Sequence, residues 1–204
     1  MSKMIPDMEV YFRQFVPSRD SLLLQLEEEA RQERIPIIGP VVAELLYILV
    51  RASRARRILE LGTATGYSAI YLARACDELN GQVVTLENDA GMASRARANF
   101  EKAGLAHRVQ VRVGDAVEEI AKMSKPFDFM FMDIDKEHYV TVMPYCERLL
   151  KSGALLVTDN VGFRAAEDFN RVISGNPQWR TVHLLSLLPF HSPEKDGLCL
   201  ALRA

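Results

Sequence analysis

The sequence is short of the features that mark secreted, membrane-spanning or nucleic-acid-coating chains. It has three cysteines, Cys76, Cys146 and Cys199, each inside an apolar stretch and none in a C-x-x-C or C-x-x-H pattern. An odd, widely spaced set of this kind encodes neither a disulfide framework nor a cysteine zinc site, and reads as buried free thiols in a reducing compartment. No uncharged apolar segment approaches the roughly 18 residues of a membrane span. Lys3, Asp7, Glu9 and Arg13 interrupt the apolar residues at the N-terminus, where a signal peptide needs an unbroken run. Excess charge is lacking too: 25 Lys plus Arg against 27 Asp plus Glu leave a net charge of −2, so no bulk attraction to nucleic acid or anionic membrane is expected. The expectation is a cytoplasmic protein, without internal repeats or low-complexity segments.

What is present suits a globular chain: 204 residues, 49% hydrophobic and 25% charged, or one domain with an appendage at about 150 residues per domain. Residues 1–56 read as a helical extension. Leu22, Leu23, Leu26 and Ala30 form an apolar face after a Ser18-Arg19-Asp20-Ser21 start, with Glu27-Glu28-Glu29 as its solvated side. Pro36, Gly39 and Pro40 precede a second apolar helix over 41–50, and Arg51 to Arg57 forms a basic connector. Residues 57–204 then alternate apolar runs, at 58–61, 83–86, 109–113, 127–132 and 154–158, with helical stretches near 67–78, 89–103, 115–123, 138–151 and 165–174. Strands apolar along their length and separated by helices imply an α/β fold, a mostly parallel sheet covered on both faces. Two further strands, 181–188 and 198–202, follow without an intervening helix and predict an antiparallel hairpin at the sheet edge, with 189–197 between them.

In an open parallel sheet ligands bind beyond the C-terminal strand ends. After the first strand stands Glu60-Leu61-Gly62-Thr63-Ala64-Thr65-Gly66-Tyr67-Ser68, a turn whose glycines and helix N-terminus suit close ligand approach or serve as a structural turn alone. A dinucleotide fingerprint would need glycine at positions 64 and 67, which are Ala64 and Tyr67, so the nicotinamide reading weakens. Glu87 ends the second strand, where an acid can accept from both ribose hydroxyls. Gly114-Asp115-Ala116 follows the third and offers a small residue against an adenine edge, or simply a helix cap. The fourth and fifth end in Asp133 and in Asp159-Asn160. Brought together, these are three hard oxygen ligands of the kind Mg²⁺ takes, with Lys136 in reach.

From about residue 35 to 204 the chain resembles the cation-dependent class I S-adenosylmethionine O-methyltransferases, the family of catechol and caffeoyl-coenzyme A O-methyltransferases and their small bacterial relatives. The matching pieces run from Ile58 to Ala69, then Leu86-Glu87, Gly114-Asp115-Ala116, Phe127-Asp128-Phe129 with Met132 to Lys136, Thr158 to Val161, and Asp196-Gly197-Leu198. The resemblance implies a Rossmann-like sheet of seven strands with an antiparallel last strand. It implies that Glu60, Gly62, Gly66, Tyr67 and Ser68 border the methionine end of S-adenosylmethionine, that Glu87 holds the ribose, and that Asp115 and Ala116 lie beside adenine. Asp133, Asp159 and Asn160 would hold Mg²⁺ or another divalent cation, Asp133 would also approach the cofactor, and Lys136 matches the catalytic lysine. Homodimers are common in the family, and the apolar N-terminal helices are candidate interface elements.

Such a site would bind a catechol-like acceptor, stabilise its phenolate and align the oxyanion with the methyl group. Lys136 could take the proton if desolvation and the cation lower its pKa from about 10.4. The expected activity is methyl transfer to a hydroxyl of a small aromatic acceptor. Methylation of a hydroxylated uridine in transfer RNA, using Arg51, Arg54, Arg56 and Arg57, is the runner-up, and a nicotinamide oxidoreductase or a non-catalytic relative are the other classes. Departures from the family pattern fall at Ile134, at Gly162-Phe163-Arg164 and in the loop Pro189 to Lys195. With no room for a separate recognition domain, these loops and the N-terminal helices must form the acceptor pocket. His138 reads as a solvent-facing helix start, with a second proton acceptor as the alternative. His191 reads as a surface-loop residue, with acceptor contact as the alternative. Trp179 reads as packing in an edge strand, and Met130 and Met132 as buried strand residues.

Overall fold

The computed structural model describes residues 3–204. Three helices precede the sheet: α1 (Met8–Arg13), α2 (Ser21–Glu33) and α3 (Gly39–Ser53). Asp20 starts α2 by accepting the Leu23 N–H at 3.0 Å, which satisfies one of the orphan donors of a helix start, and Pro40 stands in the first turn of α3. The chain then runs β1 (Arg57–Leu61), α4 (Tyr67–Asp77), β2 (Gln82–Glu87), α5 (Ala90–Lys102), β3 (Val109–Val113), α6 (Ala116–Ala121) and β4 (Phe127–Met132). It closes with α7 (Tyr139–Leu149), β5 (Leu150–Thr158), α8 (Glu167–Gly175), β6 (Trp179–Leu187) and β7 (Lys195–Arg203). Single 3₁₀ turns at Lys136–His138 and Arg164–Ala166 introduce α7 and α8.

The seven strands lie in the order β3-β2-β1-β4-β5-β7-β6. The first five pair in parallel, and β7 runs antiparallel to both β5 and β6. This is the Rossmann-like arrangement expected, with the strand order reversing between β1 and β4. Side-chain alternation along β4 shows how both faces are filled. Phe129 and Phe131 pack with Leu46, Val50 and Ile70 on the side of α3 and α4, while Met130 and Met132 pack with Tyr139, Val142 and Phe169 on the side of α7 and α8. Trp179 and the three cysteines are buried, and the cysteines are free. No helix among the described residues is long and apolar enough to cross a membrane.

Three expectations about element limits and surfaces are corrected. The strand expected at 154–158 begins at Leu150, because the exposed Lys151, Ser152 and Gly153 continue it beyond its apolar part. The strand expected at 198–202 begins at Lys195, which pairs with Leu187 of β6. The Glu27-Glu28-Glu29 run is not uniformly solvated. Glu28 pairs with Arg31 on the surface, but Glu27 turns inward to meet Arg19 at 2.9 Å and the Tyr67 hydroxyl at 2.7 Å.

Candidate active site

The reversal of strand order opens a crevice at the C-terminal ends of β1 and β4. On its floor Asp133 N–H donates to the Leu61 carbonyl at 2.9 Å, and Asp159 N–H to the Met132 carbonyl at 3.0 Å, so the three strand ends stay in step. Gly62 is required here: its φ is +98°, and a Cβ at this position would stand 2.1 Å from the Asp133 carbonyl oxygen. Two residues on, Ala64 also takes a positive φ of 45°, and its N–H donates to Glu87 Oε2 at 2.7 Å. The other oxygen of Glu87 accepts the Asp89 N–H at 2.9 Å. The Glu87 carboxylate is thus oriented by backbone on both sides at the end of β2. Asn99 Nδ2 donates to the Thr65 carbonyl at 3.0 Å and holds the rest of the turn against α5.

Beneath the turn, Glu60 is fully buried on β1. Its Oε2 lies 2.6 Å from Thr85 Oγ1, which lies 2.5 Å from Thr63 Oγ1, which in turn reaches the Leu86 carbonyl at 3.0 Å. Glu60 Oε1 has no protein partner among the described residues. Burial above all, with the charges of Asp133 and Glu87, raises the Glu60 carboxyl to about 8. Tyr67 and Ser68 open α4 and line the crevice. The Tyr67 hydroxyl is committed to Glu27, and burial with that contact pushes its pKa up. Asp115 caps α6 by accepting the Glu118 N–H at 3.0 Å, so the cap is its structural role, and with Ala116 it lines the crevice beside Glu87.

At the other end Asp133, Asp159, Asn160 and Lys136 meet. Lys136 Nζ is 3.2 Å from Asp133 Oδ1 and lies 5.8 Å from the centre of the Phe163 ring. Partial burial first, and then the charge of Asp159, raises the Asp133 carboxyl against the pull of Lys136 and His191. Asn160 has a positive φ of 52°, and its Nδ2 donates to Asp196 Oδ2 at 2.7 Å, which leaves its Oδ1 as the free end of the amide. Asp159 Oδ1 accepts the Asn160 N–H at 2.8 Å, and Tyr139 Oη donates to the Asp159 carbonyl at 3.0 Å. Among the described residues no three His, Cys, Asp or Glu side chains are grouped for a metal. The donor set at this end is two carboxylates and an amide oxygen, all hard, with two like charges close enough to disturb each other. That chemistry fits a hard divalent cation. The crevice encloses about 270 Å³ and is walled on the remaining side by Pro36, Ile37, Ile38, Ile134, His191 and Ser192.

A protein-family profile described as O-methyltransferase matches residues 16–175. The chain belongs to the O-methyltransferase family. A catechol O-methyltransferase of Niastella koreensis is 32% identical over 212 residues, covering 94% of each chain, and one of Mycobacterium tuberculosis is 38% identical over 160 residues, covering 76% of this chain and 72% of that one. An O-methyltransferase of Bacillus cereus, solved in complex with SAH, superposes with a TM-score of 0.85 at 29% identity and 97% coverage of both chains. TomG of Streptomyces achromogenes, an O-methyltransferase of tomaymycin synthesis solved with SAM, gives 0.85 at 28% identity, covering 97% of this chain and 96% of that one. The nicotinamide reading falls with this membership.

In this O-methyltransferase Gly62, Tyr67, Ser68, Glu87, Asp115, Ala116, Asp133, Lys136, Asp159 and Asn160 line the crevice, whereas Glu60 lies buried beneath it and Gly66 packs against the Phe100 ring. His138 is exposed at the rim, as expected. His191 is not a surface-loop residue: the loop folds back, and its ring is buried with Nε2 2.8 Å from Asp159 Oδ2 and Nδ1 2.6 Å from the Pro193 carbonyl. Each ring nitrogen faces an oxygen, the carboxylate of Asp159 on one side and the Pro193 carbonyl on the other. Burial opposes the charge, and the Asp159 contact overcomes it and raises the His191 pKa. Asp196 carried no assigned role in the sequence. It is buried and accepts from Asn160 Nδ2, Gly162 N and Gly197 N, bracketing the Asn160 turn. Its position in the Asp196-Gly197 pair was the available signal.

Proposed function

We propose that this chain transfers the methyl group of S-adenosylmethionine to a hydroxyl of a small catechol-like aromatic, with a divalent cation held by Asp133, Asp159 and Asn160. The observation that carries the reading is the meeting of those three oxygen donors and Lys136 at one end of a crevice whose other end presents Glu87. When bound, the cofactor supplies an electrophilic methyl group and the cation supplies a Lewis acid that favours the ionised acceptor. Glu87, already oriented by two backbone N–H groups, accepts from the ribose hydroxyls. Asp115 and Ala116 border the adenine, Gly62, Tyr67 and Ser68 line the methionine end, and Gly66 and the buried Glu60 shape that end from behind. Asp133 serves both ends. Lys136, which reaches Asp133, would take the acceptor proton at Nζ in its neutral amine form, and Phe163 and Ile134 flank the acceptor. Most of the rate gain is alignment and electrostatics.

The relatives named as catechol O-methyltransferases support the acceptor class. The transfer RNA reading loses support, because Arg57 begins β1 and the basic stretch before it lies at the strand end opposite the crevice, with Arg51 paired to Glu78. Homodimerisation belongs to the same proposal: Val10, Phe12 and Phe15 are 67%, 54% and 58% exposed, and sedimentation of the native chain against Phe12→Ser tests it. The deciding experiment is radiolabelled methyl transfer to a panel of catechols and to transfer RNA, with Mg²⁺ or with chelator. Chelator-sensitive labelling of a catechol is expected. Transfer that ignores chelator removes the cation, and labelling of RNA alone removes the small acceptor.

A further inference from the structure

His191 belongs to none of the groups so far given a task, yet it occupies one of the most enclosed positions in the crevice wall. Its side chain and that of Asp159 are each 1% exposed, and the ring is gripped at both nitrogens. The loop that carries it is built to hold it there. His191 N–H donates to the Leu188 carbonyl at 2.9 Å, Leu188 N–H to the Glu194 carbonyl at 2.7 Å, and Phe190 N–H to Glu194 Oε1 at 3.0 Å. The backbone of Phe190 and His191 packs so closely on Gly39 at the start of α3 that a Cβ there would stand 2.8 Å from it. The Arg19 guanidinium lies 5.3 Å from the centre of the Phe190 ring, and Glu194 is paired with Arg13 of α1.

The consequence falls on Asp159. Its Oδ1 accepts the N–H of Asn160 and its Oδ2 accepts from His191, so each oxygen has one fixed donor and a lone pair to spare. With the Oδ2 contact removed, only the Asn160 N–H still fixes the carboxylate, which is left as an undersupported buried charge beside Asp133. We propose that His191 is a positioning residue for Asp159, fixing the carboxylate plane and thereby setting the affinity of the Asp133, Asp159 and Asn160 donors for a divalent cation. The inference rests on the cation-binding reading above. Partners of this kind behind metal-ligating groups are worth about 10- to 100-fold in affinity.

The test is a titration of the full-length, cofactor-free chain with Mn²⁺, followed by the electron paramagnetic resonance signal of the free ion. S-Adenosylmethionine affinity is measured separately on the same preparations. His191→Leu keeps the volume and loses the donor, and its Mn²⁺ dissociation constant should rise about 10- to 100-fold. His191→Gln restores an N–H donor toward Asp159 and should recover most of that loss. Cofactor affinity should stay within about twofold in both, a split that general damage to the fold would not produce. Should His191→Leu not fold, His191→Asn, whose amide is too short to reach Asp159, takes its place with the same expected weakening. Mn²⁺ binding to the donor-less variant that equals or exceeds the native value overturns the proposal, as does a Gln variant as weak as Leu. Absence of Mn²⁺ binding in the native chain overturns the cation reading itself and this inference with it, which separates the two failures.

Discussion

Replacing Glu60 by glutamine should free the protein of a loss of stability that the native chain suffers as pH rises. Glu60 is buried beneath the Gly62 turn, with Thr85 Oγ1 2.6 Å from its Oε2 and Thr63 Oγ1 reaching the Leu86 carbonyl at 3.0 Å. Thr85 Oγ1 donates to Glu60 Oε2, which favours the carboxylate, but burial outweighs that contact and raises the carboxyl from 4.5 to about 8. Below pH 4.5 the acid is protonated in both folded and unfolded chains and adds no pH dependence. Between 4.5 and about 8 the unfolded chain gives up the proton while the folded one keeps it, so stability falls with rising pH by about 1.4 kcal/mol per unit. Above about 8 the native acid ionises too and the loss levels off. Between about pH 5 and pH 8 the total is about 3 to 4 kcal/mol. Glutamine keeps an oxygen to accept from Thr85 and does not titrate. Urea unfolding of the cofactor-free native chain and Glu60→Gln at about pH 5, 6.5 and 8 measures the difference, in which the other titrating groups cancel. The variant should gain about 1 kcal/mol or more on the native chain for each pH unit. Parallel profiles, or a native lead that widens with pH, would refute the neutral acid.

Other substitutions probe the remaining supports. Gly62→Ala must push a Cβ into the Asp133 carbonyl in a left-handed conformation, and should cost about 3 kcal/mol in urea unfolding; a loss below about 0.5 kcal/mol would mean that the two strand ends are not held together there. Tyr67→Phe removes the hydroxyl bonded to Glu27 but leaves Arg19 in place, so about 1 kcal/mol and a melting temperature about 2 to 4 °C lower are expected; an unchanged melting curve would show that contact to be idle. Lys136→Ala should lower kcat at least about 100-fold with cofactor affinity intact, and an equal fall in both by calorimetry and turnover would remove the proton-acceptor role.

The sheet was legible because its strands are covered on both faces, so that Ile58 to Leu61 and Phe127 to Met132 read as continuous apolar runs. The same logic hid the start of β5, where Lys151, Ser152 and Gly153 carry backbone pairing without burial. The crevice-lining residues follow strand ends in sequence, and Asp133, Asp159 and Asn160 line the same crevice. His191 and Glu27 were misjudged for one shared reason. Each is polar, lies in or beside a polar stretch, and is buried only by partners distant in sequence, Asp159 for one and Tyr67 for the other. No local periodicity encodes such a pairing. The Ala64 conformation was equally silent, since its positive φ serves a hydrogen bond to Glu87 rather than a residue preference.

The placement of β7 between β5 and β6 ties one end of the crevice to a single hairpin. β1 to β5 pair side by side without it, and with them the Gly62 turn and Glu87 can take their positions as soon as those segments meet. β7 is the last strand in sequence, and until it inserts, β5 is an open edge and Asp196 is not in place to orient Asn160. What the oxygen-donor end depends on is the docking of the β6–β7 hairpin along β5, which sets Asp196 against Asn160. Because β6 and β7 pair as a sequence-local hairpin while Leu59 of β1 pairs with the more distant Val84 and Met130, pulse-labelled hydrogen exchange during refolding should protect the Leu200 and Ala201 amides no later than that of Leu59.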